Sequence, residues 1–144
     1  DVRADELDAL VMPGGFGAAK NLSDFALKGP EATVHQDLAR LLRDVHAQRK
    51  PIGAICIAPA VVACALGGSA KPRLTIGDDR ATAAALTAMG AEHEDSPVDR
   101  PVVDERNRIV SVAAFMYEAR LKDIAAGIDA LVAAIAAMVA EGGR

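Results

Sequence analysis

The stretch Pro51-Ile52-Gly53-Ala54-Ile55-Cys56-Ile57-Ala58-Pro59-Ala60-Val61-Val62-Ala63-Cys64-Ala65-Leu66 decides the reading of this chain. Residues 52–56 form a short continuous apolar run without alternation, the pattern of a strand buried on both faces. The run at 59–66 follows at once, with Pro59 in its first turn and Gly67-Gly68 past its expected end, the punctuation of a helix. A strand passing directly into a helix is the unit of an α/β protein with a parallel sheet.

The same rhythm extends in both directions. Residues 7–12 are a short apolar run stopped by Pro13-Gly14-Gly15, read as a strand ending in a glycine loop. Residues 21–33 read as a loop with one helical turn. Val34, Leu38, Leu41, Leu42 and Val45 then mark an amphipathic helix that closes near Lys50-Pro51. Downstream, Leu74-Thr75-Ile76-Gly77 gives another strand, and residues 79–89 a helix begun by Asp78 or Asp79 and stopped by Gly90. Residues 101–104 and 108–112 flank Glu105-Arg106-Asn107, a hairpin expected at one sheet edge. The tail places Ile124, Ile128, Leu131, Val132, Ile135 and Val139 on one helical face. The expectation is one α/β domain over residues 1–144, its mostly parallel sheet covered on both faces.

Composition narrows the function classes. A length of 144 residues suits one domain, and 51% hydrophobic with 25% charged content is globular. Net charge is −4 and the 16 basic residues are scattered, which argues against a nucleic-acid partner. Aromatics are 3% and alanines number 31, so side chains are small and layers can pack closely. The longest uninterrupted apolar stretch, residues 130–140, falls short of the roughly 20 residues that cross a bilayer, so no membrane association is expected. The N-terminal Asp1-Val2-Arg3-Ala4-Asp5-Glu6 lacks the marks of a signal or transit peptide, and without an initiator Met the native start is expected upstream. Cys56 and Cys64 are eight residues apart, about 12 Å along a helix and too far for a disulfide. Two free thiols imply a reducing compartment, most simply the cytoplasm.

In an open α/β sheet, sites form beyond the carboxyl ends of the strands. Two such ends share one rim here, Pro13-Gly14-Gly15-Phe16-Gly17 and Ala54-Ile55-Cys56-Ile57-Ala58. The second has small residues two before and two after Cys56, the pattern of a nucleophile elbow with cysteine in place of serine. A tight turn there lifts the sulfur to the top of the sheet, and the helix that follows aims N–H groups and its positive dipole end at it. The plainer reading of Cys56 is a small buried thiol, and of the glycine loop a simple turn. On the catalytic reading, backbone N–H groups of Gly14, Gly15 and Ile57 form an oxyanion hole above Cys56. Gly15-Phe16-Gly17-Ala18-Ala19-Lys20 fails G-x-G-x-x-G at its last position, and Ala19-Lys20-Asn21 fails the P-loop, so no nucleotide is expected. Cys64 reads as helix core. His35 and His46 fall on the helix before the elbow, with His46 expected in solvent. His93, within Glu92-His93-Glu94-Asp95, faces away from both glutamates on a strand, so no metal site is expected.

Three segments carry a resemblance. Asp8-Ala9-Leu10-Val11-Met12-Pro13-Gly14-Gly15-Phe16-Gly17-Ala18-Ala19-Lys20-Asn21-Leu22-Ser23, Pro51-Ile52-Gly53-Ala54-Ile55-Cys56-Ile57-Ala58-Pro59-Ala60 and Leu74-Thr75-Ile76-Gly77 are similar to the ElbB-like isoprenoid-biosynthesis glyoxalases. These belong to the ThiJ/PfpI family of the glutamine amidotransferase-like superfamily. The likeness continues through Pro97-Val98-Asp99 and Val102-Val103-Asp104. It implies a flavodoxin-like three-layer sandwich, commonly a homodimer, that uses the elbow cysteine, here Cys56, without metal, nucleotide or other cofactor. It also implies a small-molecule partner: an α-oxoaldehyde such as methylglyoxal or glyoxal, converted to an α-hydroxy acid without glutathione. The chain departs from the wider family in two ways. Ile57 stands where many relatives have His, although Ile is usual in the ElbB-like branch. The family's opening strand–helix units are expected to be absent from this chain, with the carboxylate that would move the proton, so a central strand is expected at an edge with exposed apolar surface. The readings from other classes are a non-enzymatic cysteine redox sensor or accessory protein and a dimerisation module built on the Ala-rich tail helix.

Overall fold

The computed structural model describes residues 1–142. In chain order the elements are β1 (Leu10–Met12), α1 (Phe16–Lys20), α2 (Phe25–Lys28), α3 (Gln36–Ala47), β2 (Ile52–Ile55), α4 (Ala58–Ala70), β3 (Arg73–Leu74), α5 (Arg80–Ala88), β4 (Glu92–His93), β5 (Val102–Asp104), β6 (Ile109–Val112) and α6 (Leu121–Gly142). The main sheet has the order β1-β2-β6-β5, and β3 and β4 make a separate parallel pair. β1, β2 and β6 are parallel, with Leu10 opposite Ile52 and Ile52 opposite Ile109. β5 returns antiparallel to β6 and closes one edge, the hairpin expected from Glu105-Arg106-Asn107.

Alternation along the strands splits the core into two faces. Ile52, Ala54 and Ile109 pack with Leu42, Val45, Val61, Val62, Leu66 and Leu86, which places α3, α4 and α5 on one side. Ile55, Val110 and Val112 pack with Ile124, Leu131, Ile135 and Met138 of α6 on the other. This is the α/β sandwich with a mostly parallel sheet that the strand–helix rhythm predicts. Gly53 shows how closely the second layer lies, since a Cβ there would sit 3.1 Å from Leu131 and 3.2 Å from Val11. β1 forms the other edge of the main sheet, and its Val11 is 41% exposed.

Several boundaries differ from the sequence expectation for physical reasons. α4 runs through Gly67-Gly68 to Ala70 and ends at Lys71, which takes a left-handed conformation with φ 47°. Gly67 is an approach residue instead of a stop, because a side chain there would collide with the Met89 carbonyl where α5 turns back on α4. β3 is shorter than expected. Beyond Leu74, the Thr75 N–H donates to Ser111 Oγ at 3.0 Å and the Gly77 N–H to Thr75 Oγ1 at 2.9 Å, so side chains take over from ladder bonds. The glycine loop continues into the short α1, and the helical turn expected in 21–33 is α2.

The buried stripe of α6 is Ile124, Gly127, Leu131, Ile135 and Met138, while Val132 is 52% exposed. At 22 residues, with a mean hydropathy of 1.9 in its most apolar window, α6 is long and apolar enough to cross a membrane by length and composition alone. The count of uninterrupted apolar residues passed over it because Asp129 breaks the run. In the fold, its stripe is the third layer on the sheet.

Candidate active site

The centre of the site is the turn between β2 and α4. Cys56 directly follows β2, and α4 begins two residues later at Ala58 with Pro59 in its first turn. Cys56 has φ 63°, left-handed backbone that costs a non-glycine residue about 1–2 kcal/mol. Packing holds it there. Its N–H donates to the Val112 carbonyl at 2.9 Å, extending the contact with β6 one step past the ladder. Ala54 and Ala58, the small residues two before and two after, are fully buried, and a larger side chain at either would push strand and helix apart. Cys56 itself is half-buried and free of any disulfide.

The glycine loop after β1 meets this turn. Gly14 has φ 85°, and a Cβ there would lie 2.5 Å from the Ile55 carbonyl oxygen, 3.1 Å from Cys56 Cβ and 3.4 Å from the Ile57 nitrogen. Only glycine fits that approach. The structure therefore brings Gly14, Cys56 and Ile57 together. Gly15, also at φ 85°, precedes α1 as its N-cap, and a side chain added to it would meet nothing within 4 Å. Among the described residues neither the Gly15 nor the Ile57 N–H donates to a protein acceptor. One main-chain donor in the elbow and one in the loop that meets it thus keep their hydrogen-bonding capacity unspent.

The rim has further members that the sequence did not signal. Ala114, just past β6, is fully buried in left-handed backbone at φ 46° and packs in the same cluster as Cys56. Alanine carries no sequence mark for such a conformation. Phe16 and Phe115 follow the carboxyl ends of β1 and β6, the two neighbours of β2, and are 73% and 64% exposed.

The other candidates are accounted for by structure. The Cys64 thiol, in the middle of α4, donates to the Ala32 carbonyl at 3.0 Å, and burial pushes its pKa up, with the Asp24 carboxylate adding to the shift. His35 caps α3, its Nδ1 accepting from the Asp37 N–H at 3.3 Å. His46 is not in open solvent as expected. It is half-buried, with Nε2 3.0 Å from Asn107 Oδ1, because the loop between β5 and β6 folds onto the end of α3. His93 Nε2 accepts from the Ile76 N–H at 3.3 Å, and burial lowers its pKa, which keeps the ring neutral as an acceptor. Among the described residues no group of three or more His, Cys, Asp or Glu is placed to hold a metal ion.

An open α/β sheet whose central strand ends in a strained cysteine, faced by a glycine loop from the neighbouring strand, defines the class of α/β proteins with a cysteine elbow. Comparison with known proteins gives the family. The DJ-1/PfpI family model matches residues 1–121, and the chain belongs to that family. It is 40% identical over 134 residues to the ES1 protein homolog, mitochondrial, of Rattus norvegicus, covering 87% of this chain and 49% of the relative. It is 41% identical over 134 residues to the human glutamine amidotransferase-like class 1 domain-containing protein 3, mitochondrial, with the same coverage of 87% and 49%. Among solved structures, it resembles an isoprenoid biosynthesis protein with amidotransferase-like domain from Ehrlichia chaffeensis. That match has a TM-score of 0.86 and 35% identity, covering 96% of this chain and 62% of the other. The chain spans about half the length of the curated relatives it matches.

Proposed function

We propose that the protein is a glyoxalase-type enzyme that uses Cys56, without glutathione, to convert a small α-oxoaldehyde to an α-hydroxy acid. The observation that carries this reading is the left-handed Cys56, pinned through its N–H to Val112 and faced by Gly14. In the proposed reaction the Cys56 sulfur adds to the aldehyde carbon, and the new oxyanion is met by the Gly15 and Ile57 N–H groups. The resulting hemithioacetal loses its C1 proton and regains one at C2, giving a thioester of the hydroxy acid. Water cleaves the thioester, releases the acid and restores the thiol, so the net change is addition of one water.

Among the described residues no side chain hydrogen-bonds the Cys56 sulfur. In this reading the proton carrier is one that these 144 residues do not place beside the sulfur; the chain spans about half the length of its relatives. The same observation favours a second reading, a redox-sensing thiol oxidised to sulfenic or sulfinic acid. Two of the relatives above are mitochondrial by name, so a reducing compartment, and not the cytoplasm in particular, is the placement that goes with this reading. A homodimer is part of it as well.

The test is methylglyoxal turnover, followed as lactate, by the 144-residue chain and by a form extended upstream, with Cys56→Ala and Cys64→Ala in each. Weak turnover by the short chain, a gain on extension and loss only in Cys56→Ala are expected. Equal turnover by the wild type and Cys56→Ala ends the catalytic reading. Peroxide oxidation of Cys56 in an extended form that turns over no oxoaldehyde selects the redox reading.

A further inference from the structure

A cavity of about 430 Å³ lies at the opposite rim from Cys56. It opens where the chain enters the parallel strands, with Asp8 before β1, Arg49, Lys50 and Pro51 before β2, and Arg108 before β6. Met138 and Val139 of α6 supply an apolar wall. Three cations and one carboxylate line a single concavity, and with Glu141 beside Arg108 the cations still outnumber the carboxylates, in a chain whose net charge is −4.

The three cations are held mainly by backbone carbonyls, which orient them without neutralising them. Arg49 donates to the Arg106 carbonyl at 2.6 Å, Lys50 to the Ala4 carbonyl at 2.6 Å, and Arg108 Nη2 to the Met138 carbonyl at 2.6 Å. Glu141, largely exposed, lies 4.0 Å from Arg108 Nη1. Among the described residues Arg108 Nε is buried with no hydrogen-bond partner, and a guanidinium nitrogen left in that state is costly. Arg49 and Arg108 also occupy left-handed backbone, at φ 59° and 55°, positions where glycine or asparagine would carry no penalty.

We infer that this cavity binds a phosphate monoester, with its dianionic head on Arg49, Lys50 and Arg108 and a small apolar group against Pro51, Met138 and Val139. Guanidinium groups supply paired donors for phosphate oxygens, and Arg49 and Arg108 each line the cavity. A volume near 430 Å³ exceeds what a bare phosphate fills and falls in the range of small-molecule sites.

The probes are phenyl phosphate, inorganic phosphate and benzoate, titrated at fixed ionic strength into the 144-residue chain while the arginine Nε–Hε resonances are followed by NMR. Phenyl phosphate is expected to bind saturably and shift the Arg108 Nε–Hε signal, inorganic phosphate to bind several-fold more weakly, and benzoate more weakly still. Arg49→Gln should raise the Kd for phenyl phosphate about tenfold, and Asp8→Asn should lower it about threefold. Both residues line the surface, and thermal melting of each variant checks the fold. Absence of saturable binding overturns the proposal. So does benzoate binding as tightly as phenyl phosphate, or a Kd unchanged in both Arg49→Gln and Asp8→Asn.

Discussion

Cys56 and Cys64 lie eight residues apart on one strand–helix unit, are both half-buried and both free, yet they occupy opposite chemical situations. Cys56 sits on left-handed backbone at the rim, faced by a glycine loop with unspent N–H donors. Cys64 sits on regular helix, its thiol given to the Ala32 carbonyl. Residue type and burial class do not separate them. The backbone does: the turn that strains Cys56 turns the same functional group into a candidate nucleophile, and the helix turns the other into packing.

The largest test of that contrast is catalytic. In the extended form of the protein, Cys56→Ala should lower methylglyoxal turnover roughly a thousandfold or more, while Cys64→Ala leaves it within a few-fold of wild type. Comparable losses at both positions would erase the distinction. The next test removes the partner and keeps the sulfur. Gly14→Ala places a Cβ 2.5 Å from the Ile55 carbonyl at a φ of 85°, so it should cost about 2–4 kcal/mol in urea unfolding and shift the elbow. If that variant keeps wild-type stability and turnover, the loop is not fitted to Cys56 in the way described.

How much of this was legible beforehand follows from what each feature rests on. The β2–α4 unit was readable because its signals are local: an apolar run, small residues around Cys56, and Pro59 in the first helical turn. The hairpin was readable for the same reason, through Glu105-Arg106-Asn107. Gly67 misled because a helix-ending glycine and a glycine required by a neighbouring carbonyl look alike in sequence. The α6 stripe was half right, since helical spacing gave Ile124, Leu131 and Ile135, but only the sheet's position decides that Met138 is buried and Val132 exposed. Ala114, the His46 partnership with Asn107 and the cationic cavity depend on residues far apart in the chain, where no local pattern reaches.

A smaller effect sharpens the backbone argument itself. In a helix interior, glycine is less stable than alanine by about 1 kcal/mol, whereas in left-handed backbone the order reverses by a similar amount. Comparing Cys56→Ala with Cys56→Gly, and Cys64→Ala with Cys64→Gly, by urea unfolding should therefore give differences of opposite sign. Glycine is expected to be the more stable at 56 and alanine at 64. The same sign at both positions would mean that Cys56 is not held left-handed in solution.

The smallest effect concerns Cys64 and alkaline pH. Burial, with the Asp24 carboxylate adding to it, raises the Cys64 thiol above its ordinary value, so the folded state holds this proton more tightly than the unfolded chain does. An unfolded thiol loses its proton near pH 8.5. The stabilisation is therefore complete below that value and lost as pH rises through the higher folded value. Cys64→Ala removes this contribution, so the stability difference between wild type and variant should narrow as pH rises above about 8.5 and stay constant below. Urea unfolding at matched ionic strength measures it. A difference that holds steady or widens over that range would show that α4 does not keep the thiol protonated, and the second half of the contrast with Cys56 would then rest on the Ala32 hydrogen bond alone.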